Sequence, residues 1–112
     1  MFGKLLVRSL MAKIVVALSL VAGFAAMPGE QTVSQSNKTF STSSVTINRG
    51  DKVVFRNDDQ VAHNAFSTTA GNAFNLKTQA PGASTAVSFN SQGTAEVRCA
   101  IHPKMRLIVN VK

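Results

Sequence analysis

Residues 95–111 read AEVRCAIHPKMRLIVNV, and their pattern decides the fold. Ala95 to Cys99 predicts a strand. Leu107 to Val111 predicts another, with Leu107, Val109 and Val111 facing one way across a period of two. Between them lies a loop holding Ala100, Ile101, His102, Pro103, Lys104 and Met105, too short to be anything but a connection between neighbouring strands.

The same grammar runs upstream. Ser84 to Phe89 alternates, with Val87 and Phe89 on one face, and Asn90 to Gly93 turns the chain into residue 95. Pro81-Gly82 and Arg49-Gly50-Asp51 are turns. Lys52 to Arg56 (KVVFR) predicts a strand, and Asn57 to Gln60 closes it, with Asp58 and Asp59 read as a solvated turn. Val45 and Ile47 alternate with Thr46 and Asn48, as in an edge strand. A further strand falls near Thr39–Ser41. Turn signals thus recur at the spacing of a small antiparallel sandwich, and β-branched residues and Phe fill the apolar positions. The expected fold is all-β: a Greek-key β-sandwich of about 7–8 strands.

The first thirty residues differ. Lys4, Arg8 and Lys13 precede an uncharged apolar run from Ile14 to Met27, with small residues at Gly23, Ala25 and Ala26. Basic start, apolar run and small residues match a secretory signal peptide. Met11 is an alternative start, and cleavage is expected after Ala25. The run is short of the roughly 20 residues that span a bilayer as a helix, so an uncleaved anchor is the lesser alternative. The expected organisation is a signal peptide helix at 1–25, a flexible polar segment at 26–38, and one domain at 39–112.

Composition narrows the function. The 112 residues carry 12 Lys plus Arg against five Asp plus Glu, a net charge of +7. Residues 1–25 hold three of those basic residues and no acidic one, so the mature chain of about 87 residues carries +4. No Lys/Arg cluster and no Tyr or Trp stands ready for bases, and nucleic acid is not an expected partner. A single cysteine excludes an internal disulfide and a four-cysteine metal site. No second histidine cluster or paired carboxylates suggest turnover of a small-molecule substrate. A domain this small gains stability from a bound metal.

The chemistry concentrates in Cys99-x2-His102-x2-Met105, with His63 as the one other histidine. Taken singly, a lone Cys or Met is usually a core residue, and a structural β domain without metal is one reading. Taken together, one thiolate, two imidazoles and a thioether are soft and borderline donors that select copper, and a His2Cys arrangement with a weak axial Met is an electron-transfer site. Pro103 fixes φ and lacks an N–H. It stiffens the ligand loop and thins the hydrogen bonds near the metal sulfur.

These residues resemble those of the cupredoxins, the type 1 blue copper proteins, and look most like the plastocyanin, pseudoazurin and amicyanin group. The resemblance spans roughly residues 39–112 and is most specific at Val61–Phe66 and Cys99–Met105. It implies one copper ion cycling between Cu(I) and Cu(II), held by His63, Cys99, His102 and Met105. It also implies that Asn64 ties the two ligand loops together, with its backbone N–H reaching the Cys99 sulfur, and that His102 is the surface port for electrons. The short ligand spacings with Pro103 look closest to amicyanin. Val97 stands where the family often has an aromatic residue, and Arg106-Leu107 follows the methionine where a glycine is usual.

The expected function is a monomeric periplasmic electron carrier without enzymatic turnover, meeting redox proteins transiently. A periplasmic copper storage or delivery protein would use the same ligands. Lys52, Arg56, Lys77, Lys104 and Arg106 form a candidate basic surface. Were Lys104 and Arg106 to ring the His102 port, the partner face would be acidic.

Overall fold

The computed structural model describes residues 29–112. The expected signal peptide, residues 1–25, lies outside them. Nine strands follow in order among the described residues: β1 Glu30–Ser36, β2 Thr39–Phe40, β3 Ser44–Ile47, β4 Lys52–Asn57, β5 Phe66–Ser67, β6 Phe74–Asn75, β7 Ser84–Ser88, β8 Gly93–Arg98 and β9 Arg106–Val111. They form two sheets, in the orders β2-β1-β4-β7 and β3-β9-β8-β5-β6. The chain passes repeatedly from one sheet to the other, so strands distant in sequence become neighbours. β1 lies parallel to β4, and β3 parallel to β9. The other pairings are antiparallel. The sandwich expected from sequence is present, with more strands than the expected 7–8 because three of the nine are two-residue pieces.

Period-two burial builds the core. β4 turns Val53, Phe55 and Asn57 inward, and β9 turns Leu107, Val109 and Val111 inward. Phe55 sits at the centre, its ring 6.3 Å from Phe40 and 5.7 Å from Phe74, with Phe74 in turn 5.8 Å from Phe89. Edge-to-face and tilted contacts of this kind suit aromatic quadrupoles. Pro81-Gly82 makes the expected turn: Gly82 has φ 85° and Ala83 N–H donates to Ala80 O at 3.0 Å, the type II arrangement with Pro then Gly at its centre.

The segment 26–38, expected to be flexible, contains strand β1 over Glu30–Ser36. Its inward positions are Val33 and Gln35, both fully buried. One apolar residue gives no hydrophobic alternation to read. The strand is secured instead by its backbone ladder, parallel to β4 from Glu30↔Lys52 to Gln35↔Asn57, and by the hairpin to β2. The buried Gln35 amide nitrogen donates to Gln79 Oε1 at 2.8 Å, which offsets part of the cost of placing it in the core, while its Oε1 has no partner among the described residues. Asn37 and Lys38 close the hairpin with φ 52° and 56°. A two-residue loop with both residues left-handed is the type I′ turn that matches strand twist.

Candidate metal centre

The strand alternation that buries Ala95 and Val97 on β8 continues one residue past the strand and delivers Cys99 to the same inner face, 1% exposed. Its Sγ accepts the backbone N–H of Asn64 at 3.3 Å.

His63 follows β4 by a short loop shaped by Asn57. The buried Asn57 amide donates to Val61 O at 2.9 Å and Gln79 O at 3.1 Å, while its Oδ1 accepts from Asp59 N at 2.9 Å. His63 then forms an isolated bridge with Gln79, its N–H donating to Gln79 O at 3.1 Å and its carbonyl accepting from Gln79 N at 2.7 Å. The imidazole is fully buried. Its Nδ1 lies 3.0 Å from His102 Nδ1, and its Nε2 lies 2.8 Å from Asp59 Oδ2.

His102 sits in the turn after β8, closed by Met105 N–H donating to His102 O at 3.0 Å. Its Nδ1 is 3.9 Å from Cys99 Sγ, and its ring is half-buried. Desolvation first, then the charges of His63 and Lys38, hold its pKa below the usual imidazole value. That favours the neutral form, the one that offers a lone pair to a metal. Ligand atoms of His63, Cys99 and His102 all lie within 4.8 Å of one another. Three donors of this softness, converging in a buried pocket, fit a copper ion. Met105 completes the loop and is 2% exposed.

Asn64 binds three segments at once. Its Oδ1 accepts Ala100 N–H at 3.0 Å, and its Nδ2 donates to Asn75 Oδ1 at 2.9 Å and Lys77 O at 2.8 Å. The loop carrying His63 is thereby fastened to the loop carrying Cys99 and His102. Pro103 is exposed, and its carbonyl accepts Arg98 Nη2 at 2.6 Å. Arg98 also pairs with Glu96, which pairs with Arg106. Those cations pull the Glu96 carboxyl below the usual range, Arg106 foremost.

Two sequence readings change here. Arg106 faces Glu96, and Arg56 faces Asp58. The cations beside His102 are Lys104 and Lys38, which line a shallow surface depression of about 290 Å³ with Ile101, His102 and Pro103. Lys38 went unnoticed because only the hairpin turn brings it there. Lys77 lines a neighbouring depression with Ile101 and Asn64. The sequence places Asp59 in a solvated turn; in the structure its carboxylate is mostly covered, with 16% side-chain exposure, and faces the buried His63 ring. The hydrogen bond from His63, then those from Lys38 and Gln60, lower its pKa to about 2. Nothing in an Asp-Asp pair after a strand distinguishes this role from an exposed turn.

A family model described as "Copper binding proteins, plastocyanin/azurin family" matches residues 28–112. No curated protein sequence matches the chain. Among solved structures, it is similar to an amicyanin from Paracoccus versutus, with 26% identity, TM-score 0.67, and coverage of 81% of this chain and 87% of that one. It is similar in fold to a purple cupredoxin from Nitrosopumilus maritimus, with 23% identity, TM-score 0.66, and coverage of 73% and 99%. A copper-containing nitrite reductase from Thermus scotoductus matches at 23% identity and TM-score 0.69, covering 80% of this chain but only 23% of that one.

Proposed function

The chain belongs to the plastocyanin/azurin family of copper-binding proteins, and from that premise we propose that it carries single electrons between redox proteins of the periplasm. The observation that carries this reading is the convergence of His63, Cys99 and His102 on one buried point, with His102 alone of the three reaching the surface. His63, Cys99, His102 and Met105 would hold one copper ion, which supplies a one-electron Cu(I)/Cu(II) couple.

The protein supplies rigidity and access. Asn64 fastens the ligand loops to each other, so the donor set has little freedom to relax when the charge at the centre changes. His63 and Cys99 are closed off from water, while the half-buried His102 ring opens among Ile101 and Pro103. Electrons enter and leave by that edge. No step calls for a bound substrate, and the reading is a carrier, not an enzyme, acting as a monomer. The signal-like residues 1–25 support export to the periplasm.

The test is the absorption spectrum of the purified chain with Cu(II). An intense blue band supports the carrier reading. Copper bound without that band turns the assignment toward storage or delivery.

Met105 is read as the weak axial ligand. Met105→Leu should leave the blue band in place and raise the reduction potential by about 60 mV, a tenfold change in the one-electron couple. Voltammetry of the two proteins checks this, and an unmoved potential removes Met105 from the ligand set.

Lys38 and Lys104 at the port fit a redox partner with an acidic face. Such a contact is small, transient and steered by charge. Raising ionic strength from about 0.01 to 0.15 M shortens the screening length from about 30 to 8 Å, and association with an acidic partner should slow at least several-fold. Stopped-flow electron transfer reads the effect, and rates indifferent to salt would count against an acidic face.

A further inference from the structure

We propose that Asp59 positions His63 and tunes the metal centre: its carboxylate holds the proton on His63 Nε2, turns Nδ1 to the metal as a lone pair, and lowers the reduction potential. This rests on the copper reading of the same site. The carboxylate–imidazole pair would complete a carboxylate–imidazole–metal relay if copper were bound, in which an outer carboxylate sets the ligand's tautomer and basicity.

Three observations support it. The Asp59 Oδ2 to His63 Nε2 separation is 2.8 Å, to a ring that is fully buried. A carboxylate at neutral pH only accepts, so the imidazole nitrogen facing it must donate. The other nitrogen, Nδ1, lies in the cluster with Cys99 and His102, 3.0 Å from His102 Nδ1, and the Nε2–H tautomer leaves it free to offer a lone pair.

The carboxylate is also fixed in place. Oδ2 accepts Lys38 N–H at 3.0 Å, Oδ1 accepts Gln60 N–H at 2.9 Å, and the Asp59 N–H donates to Asn57 Oδ1 at 2.9 Å. With 16% side-chain exposure, its charge is only partly screened by water. A negative charge hydrogen-bonded to a ligand makes that ligand more electron-rich, which stabilises the higher oxidation state. The same carboxylate anchors the hairpin turn that carries Lys38 to the electron port, so one side chain links the ligand and the docking face.

Asp59→Asn keeps the shape and an accepting oxygen but removes the charge. Asp59→Ala removes both. In Asp59→Asn the blue band should persist, Cu(II) affinity should fall about tenfold relative to Cu(I) affinity, and the potential should rise by the corresponding ~59 mV for a one-electron couple. Asp59→Ala should show at least that rise. In the metal-free wild type, two-bond nitrogen–proton NMR of the imidazoles should find His63 as the Nε2–H tautomer. The proposal is overturned if both variants keep the wild-type potential, or if the wild-type His63 carries its proton on Nδ1. The tautomer measurement decides the matter even where a variant does not fold. A wild-type chain that gives no blue band with Cu(II) sinks the carrier reading instead, while the tautomer result still stands or falls by itself.

Discussion

Cys99→Ser is expected to abolish the blue band and to weaken copper binding by several orders of magnitude, while the fold survives. The band arises from the bond between copper and a thiolate, and a serine hydroxyl is neither soft nor ionised at neutral pH. The hydroxyl is close in size to the thiol and can still accept the Asn64 N–H, so the buried donor keeps a partner. The two effects therefore separate. Absorbance and copper titration report the lost site, and circular dichroism reports the retained sheet. A variant that keeps the band would place the metal elsewhere. A variant that loses both band and sheet would assign Cys99 to the core alone.

Phe55→Ala should be the most damaging change outside the site. Phe55 is fully buried at the centre of the aromatic cluster, touching Phe40 and Phe74. Truncation of a buried Phe costs about 3–5 kcal/mol. In a domain of this size that lowers Tm by roughly 15–30 °C. Thermal denaturation of the metal-free protein is the measurement. Copper at about a hundredfold over its dissociation constant returns about 2.7 kcal/mol, so the loaded variant should recover much of the loss. A fall of less than about 5 °C would show that Phe40 and Phe74 close the gap.

The sequence showed different parts of the molecule to different degrees. β4, β8 and β9 were legible because their inward positions, Asn57 at the end of β4 apart, are Val, Phe, Leu and Ala in strict alternation. β1 was not, because its inward partner to Val33 is Gln35, a residue that reads as solvated until Gln79 is seen opposite it. β5 and β6 are too short for any period to register. The candidate ligands stood out by scarcity, since the chain has two histidines and one cysteine. Of their surroundings, the resemblance implied Asn64 but neither Asp59 nor Lys38. Asp59 and Lys38 lie in turns, where charged residues are ordinary, and only the folded chain brings the first under an imidazole and the second beside the port.

β9 lies between β3 and β8, one strand in from the edge of its sheet. β3, made long before it, stays without its parallel partner until residues 106–111 have been synthesised. That sheet therefore closes only once the last strand has been made. Closure of that sheet and convergence of His63, Cys99 and His102 thus become one late event in the folding of the chain.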